Sequence, residues 1–168
     1  GSGVGLAGIG FSLSGLNSIS RIVKNIEKDG ETKGIQLDYS DYYSFSGQRI
    51  LLKDATDPTT YGKDGTEYVT EKFSTIKIKS VGSITGEVYK GPQYFEITFD
   101  NGAQAWYGTT NESKTAIEYN LVKWKDAQGN YITYSCTKNN NVSLIASVQW
   151  GGNETVGTAH FNNITFNY

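Results

Sequence analysis

The residues in this chain that could do chemistry are few and scattered. His160 is the sole histidine and Cys136 the sole cysteine. A neighbouring imidazole can take a thiol's proton and leave a nucleophile, so the two could in principle form a catalytic pair. Cys136, however, falls inside Ile132-Thr133-Tyr134-Ser135-Cys136, a strand-like stretch, where a free cysteine behaves as a small buried hydrophobe. His160 stands between Ala159 and Phe161 and reads as a strand surface residue. No serine lies in a Gly-x-Ser-x-Gly elbow to partner it. A single cysteine also excludes an intrachain disulfide and a Cys-pair zinc site.

The carboxylates are weighed in the same way. Asp54, Asp57, Asp64 and Glu67 could gather around Ca²⁺, which wants roughly six to eight oxygens, but their spacing follows no calcium-loop rule. A solvated acidic loop with Lys53 and Lys63 as local partners is the expectation. Glu96 and Asp100 are a candidate pair for glycoside hydrolysis, which needs two carboxyls about 5–9 Å apart; Glu96 alternates with Phe95 and Ile97 as an outward strand residue would. Gly3-Val4-Gly5-Leu6-Ala7-Gly8 satisfies the dinucleotide pattern, and Glu27 follows about twenty residues on, yet that fold needs a strand before the glycines and a helix after them. Only Gly1 and Ser2 precede the motif, and Gly10-Phe11-Ser12-Leu13 reads as strand. Trp106, Trp124 and Trp150 could stack on sugar rings if they face solvent, although Trp150 shares its parity with Val148 and three other apolar residues. Asn111, Asn141, Asn153 and Asn163 each open an Asn-x-Ser/Thr triplet. The expected set of catalytic, cofactor-binding and metal-binding residues is therefore empty.

Elements that would position any site come from the hydrophobic pattern. The chain has 168 residues, 20 Gly, 2 Pro and 12 Tyr, enough for one domain with a core and a composition that favours strands and tight turns. Period-2 segments dominate. Tyr42 to Phe45 and Gln48 to Lys53 flank Ser46-Gly47. Tyr94 to Phe99 and Ala103 to Tyr107 flank Asp100-Asn101-Gly102, where Asn-Gly is expected to take positive φ at both central positions. Asn120 to Lys125 and Tyr131 to Cys136 flank Asp126 to Asn130. Val142, Leu144, Ala146, Val148 and Trp150 are expected on one face of one strand, and Ile164, Phe166 and Tyr168 alternate in a last one. Asn17 to Lys28 is the one stretch with a helical spacing, carried by Ile19, Ile22, Val23 and Ile26. Asp54 to Gly65 reads as a surface loop. The fold class is all-β, built of meandering antiparallel hairpins.

Net charge is −2 with both signs interspersed, so there is no electrostatic footprint for nucleic acid. No apolar run is long enough for a membrane-spanning helix.

Six collinear segments carry a resemblance. Gly10-Phe11-Ser12-Leu13-Ser14-Gly15-Leu16, with Ile19 and Arg21, resembles the opening of the SpvB-type region of Tc toxin B components and RHS-repeat proteins, with Phe11 where that family usually has Trp. Ser46-Gly47-Gln48-Arg49-Ile50-Leu51, Tyr68-Val69-Thr70-Glu71, Gly91-Pro92-Gln93-Tyr94-Phe95, the Asp100-Gly102 turn with Trp106-Tyr107-Gly108, and Trp124 with Asp126, Gly129-Asn130 and Ile132 to Tyr134 resemble later steps of the same region.

The resemblance implies a structural role without catalysis. In that family this region is part of a larger RHS-type β shell that encloses a toxic C-terminal domain, in some relatives an ADP-ribosyltransferase. By this reading residues 3–168 form one β domain and a piece of a longer polypeptide, Gly1-Ser2 being a cloning scar. Its partners are the rest of that polypeptide, the enclosed cargo and a toxin translocation component. The setting is secreted or extracellular, any export signal lying outside this stretch. An extracellular carbohydrate-binding or adhesive β module is the alternative.

Overall fold

The computed structural model describes residues 18–72 and 75–167. The glycine-rich Gly3–Gly8 motif, the Gly10–Leu16 part of the opening segment and Tyr168 lie outside them. Among the described residues twelve strands form one antiparallel sheet. They are β1 (Ser18–Ile22), β2 (Tyr42–Phe45), β3 (Gln48–Arg49), β4 (Leu51–Leu52), β5 (Glu67–Val69), β6 (Lys77–Val81), β7 (Tyr94–Thr98), β8 (Gln104–Tyr107), β9 (Glu118–Lys125), β10 (Asn130–Asn139), β11 (Val142–Asn153) and β12 (Asn162–Thr165).

The sheet nearly closes on itself. From β9 it runs through β8, β7, β6 and β5 to β4. Ile50 links β4 to β3, which pairs with β2, and β2 pairs with β1. β1 then returns to the N-terminal half of β9, with Ile19 opposite Tyr119. The C-terminal half of that same β9 edge takes β10 instead, with Trp124 opposite Ile132. The outer hairpins β10, β11 and β12 therefore continue away from the barrel as an extension of its wall.

Register explains the core. Leu52, Tyr68, Ile78, Ile97, Ala105, Trp124 and Ile132 stand opposite one another in sequence across seven strands. Cross-strand rows of this kind are the unit of sheet stabilisation. Above the row, aromatic rings fill the interior. Phe95 meets Tyr119 at 4.9 Å and Tyr43 at 5.1 Å between ring centres, and Tyr61 meets Tyr68 at 5.1 Å, all edge to face. Such edge-to-face pairs add to burial because the positive ring edge meets the negative face. The barrel is solid, with rings where a lumen would be.

Within the stretch of helical spacing, Ser18–Ile22 is strand β1, followed by a one-turn helix, α1 (Ile26–Asp29), capped by the Asn25 side chain. Two strand expectations are corrected by the backbone. The Ser46-Gly47 turn has positive φ at both positions, but its second strand breaks at Ile50, where the chain passes from β2 to β5. Val142 to Trp150 does not keep one face. The register advances by an extra residue at Ala146, since Ser135 faces Ser147 while Cys136 faces Ile145. A bulge of this kind flips parity, so Ser143 is buried while Val142 and Leu144 are exposed.

Candidate functional site

The most highly organised cluster of polar groups is buried, and it starts from strand alternation. Ile19 and Arg21 share the inward face of β1, which puts a guanidinium in the barrel wall. Arg21 Nη1 donates to Asp41 Oδ2 at 2.8 Å, and the two side chains are 0% and 3% exposed. Nη1 also reaches the Asp38 carbonyl at 3.0 Å, Nε the Ala116 carbonyl at 2.8 Å and Nη2 the Lys90 carbonyl at 2.5 Å. Asp41 in turn accepts the Gln36 and Leu37 backbone N–H groups, each at 2.7 Å. One ion pair thus joins β1, the 36–41 turn, the chain entering β7 and the loop before β9.

Gly91 and Pro92 belong to the same cluster. A Cβ at Gly91 would stand 2.7 Å from the Tyr43 hydroxyl, 2.8 Å from Arg21 Nη2 and 3.0 Å from the Tyr119 hydroxyl. Only glycine allows that approach. The Pro92 carbonyl accepts from the Tyr119 hydroxyl at 2.7 Å. Burial pushes the Tyr43 phenol up to about 12, against the pull of the Arg21 charge, so it stays neutral. A charged guanidinium with four of its five N–H donors engaged by carbonyls and a carboxylate binds these segments of the fold together.

Arg49, from the Gly47-Gln48-Arg49 segment, makes a second tie. Its Nη1 and Nη2 grip both oxygens of Asp29 at 2.6 and 2.9 Å, and its guanidinium lies 4.3 Å from the centre of the Tyr42 ring. The Arg49 hydrogen bonds hold the Asp29 carboxyl down at about 2.

The remaining candidates are not brought together into a site. Cys136 lies beside Ser143, and burial pushes its thiol up to about 11. His160 sits in the loop before β12 rather than on a strand. Its Nε2 is 2.7 Å from Thr133 Oγ1, and its Nδ1 accepts the Gly152 N–H at 3.2 Å. Those contacts fix the neutral imidazole with its proton on Nε2. Desolvation lowers its pKa.

Asp54, Asp57, Asp64 and Glu67 do line one cavity of about 610 Å³, but each is engaged on its own. Asp54 accepts from Thr56, Asp57 from Thr59, Asp64 from the Gly82 N–H, and Glu67 pairs with Lys53 at 3.2 Å. No cluster of three or more potential ligands is placed for a metal among the described residues.

Glu96 accepts from Trp106 Nε1 at 3.3 Å, while Asp100 is at the exposed tip of the β7–β8 turn. Trp106 is half-buried, flanked across the strands by Glu96 and Lys123, and the amines of Lys123 and Lys125 stand 5.4 and 5.7 Å from its ring centre. Trp124 is in the core and Trp150 packs against it. The three tryptophans form no open platform. Of the four Asn-x-Ser/Thr asparagines, Asn111, Asn141 and Asn163 are exposed, whereas Asn153 bonds Gln128 and Asn130.

Sequence reasoning missed the acids that complete these clusters. Asp41 and Asp29 lie 20 residues from their arginines, in turn-rich segments where aspartate ordinarily faces water. It also missed Lys114, buried with its amine on the Gln93 and Gly108 carbonyls at 2.6 and 3.2 Å.

No protein-family profile matches this chain, and no curated protein matches it by sequence. Among solved structures it is similar to the N-terminal domain of effector protein SpvB from Salmonella typhimurium strain LT2. The TM-score is 0.64 at 14% identity, covering 91% of this chain and 60% of that one. The likeness is one of fold, and this chain spans about 60% of its neighbour's length.

Proposed function

We propose that this chain is a rigid structural module of a toxin-related polypeptide, related to the SpvB N-terminal domain, and that it performs no catalysis itself. The observation that carries the reading is the fold likeness over 91% of the chain. The fate of the motif residues supports it. Arg21, Gly91, Pro92 and Phe95 come together as a buried clamp and ring cluster, and Arg49 makes a tie between α1 and β3, so the resembled positions serve architecture.

The solid interior refines the shell expectation. This barrel cannot hold a cargo, so in our reading it contributes a stiff wall segment to a larger enclosure formed by chain outside it. Such a module, with its partners in the same secreted polypeptide, keeps a C-terminal effector domain sequestered until release. The test is limited proteolysis of the polypeptide that carries this chain, with and without residues 18–167. Removal of the module is expected to expose the C-terminal part to protease and to make its expression harmful to the producing cell. Unchanged protection after removal would overturn the reading.

A further inference from the structure

His160 lies in the loop joining β11 to β12 and folds back onto the end of β11. Tyr131 and Thr133 flank the buried Ile132 on β10 and so face outward. On that face the His160 ring centre is 4.0 Å from the Tyr131 ring, and Nε2 is 2.7 Å from Thr133 Oγ1. Gly152, opposite Tyr131 in register, is what lets the histidine close down. A Cβ there would stand 2.6 Å from Tyr131 Cε1 and 2.9 Å from His160 Nδ1. The Gly152 N–H instead donates to Nδ1 at 3.2 Å. That bond needs a lone pair on Nδ1, so it exists only for the neutral imidazole.

We propose that His160 is an acid-sensitive latch: neutral, it clamps the base of the β11–β12 loop onto the wall, and protonated, it releases that base and uncovers Tyr131. The latch goes beyond the structural role proposed above and does not depend on it. Protonation places a second N–H at Nδ1, facing the Gly152 N–H. Charged groups reach the ring from two sides. Lys123 of β9 stands opposite Thr133, with its amine 5.3 Å from the Tyr131 ring centre, and opposes another positive charge. Glu154 offsets this only in part, because Lys123 and Lys125 both hold its carboxylate. The Trp150 carbonyl also favours the charged ring, yet it already accepts the Phe161 N–H at 3.2 Å. Desolvation and Lys123 prevail, and the imidazole is held below its ordinary 6.5. The other anchors are amides and carbonyls. Asn153 Nδ2 reaches the Gln128 carbonyl and Asn130 Oδ1, and the Glu154 N–H reaches the Gly129 carbonyl at 2.8 Å. They keep the tip of the loop in place whatever the pH, so the change is confined to its base.

Hydrogen exchange of the Gly152 amide and an NMR titration of the His160 ring, both on the whole chain from about pH 7.5 to about pH 5, test this. The opened loop carries an imidazole of ordinary pKa and binds a proton more readily than the closed one, so opening becomes easier as pH falls below 6.5. The expected result is Gly152 protection, corrected for intrinsic exchange, that drops by as much as about ten-fold per pH unit as the ring titrates. Core amides such as those of Ile97 and Tyr107 should keep theirs. His160→Gln offers the same acceptor to Gly152 and a donor to Thr133 without titrating, and should hold the loop equally at both ends of the range. Gly152 protection that ignores pH while His160 titrates would overturn the latch. So would a ring that stays neutral throughout, or a loss that persists in the folded glutamine variant and so belongs to Glu154. If that variant does not fold, the wild-type data decide alone: the midpoints of titration and exchange coincide, or the latch is refuted.

Discussion

Arg21 and Asp41 meet at 2.8 Å with both side chains sealed from solvent, and each completes its hydrogen bonds with backbone groups of a different segment. Desolvation makes such a pair a weak source of net stability, but losing one partner strands the other charge. Asp41→Ala is therefore expected to destabilise the domain by about 3–5 kcal/mol in chemical denaturation. Replacing both residues by apolar ones of similar volume should cost less than that single change. Additive losses would show that the two act separately.

Gly91 provides the second check on the clamp. Gly91→Ala drives a methyl into the Tyr43 and Tyr119 hydroxyls and the Arg21 guanidinium, and overpacking of that kind costs about 1–3 kcal/mol. Gly34→Ala is the matched control, since no atom lies within 4 Å of a Cβ there and its φ is not positive. Equal melting temperatures for the two variants would mean the clamp yields easily.

The β7–β8 turn makes a prediction through its geometry. Gly102 has φ of 86°, whereas Asn101 is not in the left-handed region. Gly102 N–H donates to the Phe99 carbonyl at 3.0 Å, and Phe99 N–H to the Ala103 carbonyl at 2.8 Å. The turn is a three-residue loop with a left-handed glycine after a type I turn, not the two-residue mirror-image turn that Asn-Gly suggests. Gly102→Val should cost about 1–3 kcal/mol, while Gly102→Asn should be tolerated far better because asparagine enters that region readily. A thermal melt of both variants separates this turn from one in which position 101 carries the strain.

The hairpins were legible because their turn residues are local signals. Ser46-Gly47, Asp100 to Gly102 and Asp126 to Asn130 all join the strands expected of them. Closure of the barrel was not legible, since it depends on Ile19 meeting Tyr119 across a hundred residues, and no periodicity encodes such a partner. The Ala146 bulge was missed for a related reason. A parity rule assumes one residue per step, and β11 spends an extra one. The Arg21–Asp41 clamp needed both failures repaired at once, because Arg21 is recognisable only as a motif position and Asp41 only as a turn residue. Cys136 and His160, the pair weighed as nucleophile and base, are used by different neighbours.

Alkaline pH probes the core and the buried amine together. Lys114 is 3% exposed, and desolvation lowers its pKa from 10.5 to about 8. Between those values the unfolded chain binds more protons than the folded one, so stability rises with pH through that window. Tyrosines act in the opposite sense. Burial raises the phenols of Tyr43, Tyr61, Tyr68, Tyr107, Tyr119 and Tyr134 above the ordinary 10.0, so above that pH the unfolded chain sheds protons that the folded one retains. Stability should climb from about pH 8, turn over near pH 10 and then collapse. Phenolate absorbance from these six rings should appear only as far-UV circular dichroism is lost, while exposed tyrosines titrate earlier. Lys114→Met should abolish the rising limb and leave the collapse in place. Smooth titration of every tyrosine near pH 10 with the strand spectrum intact would show that the ring-filled interior is open to water.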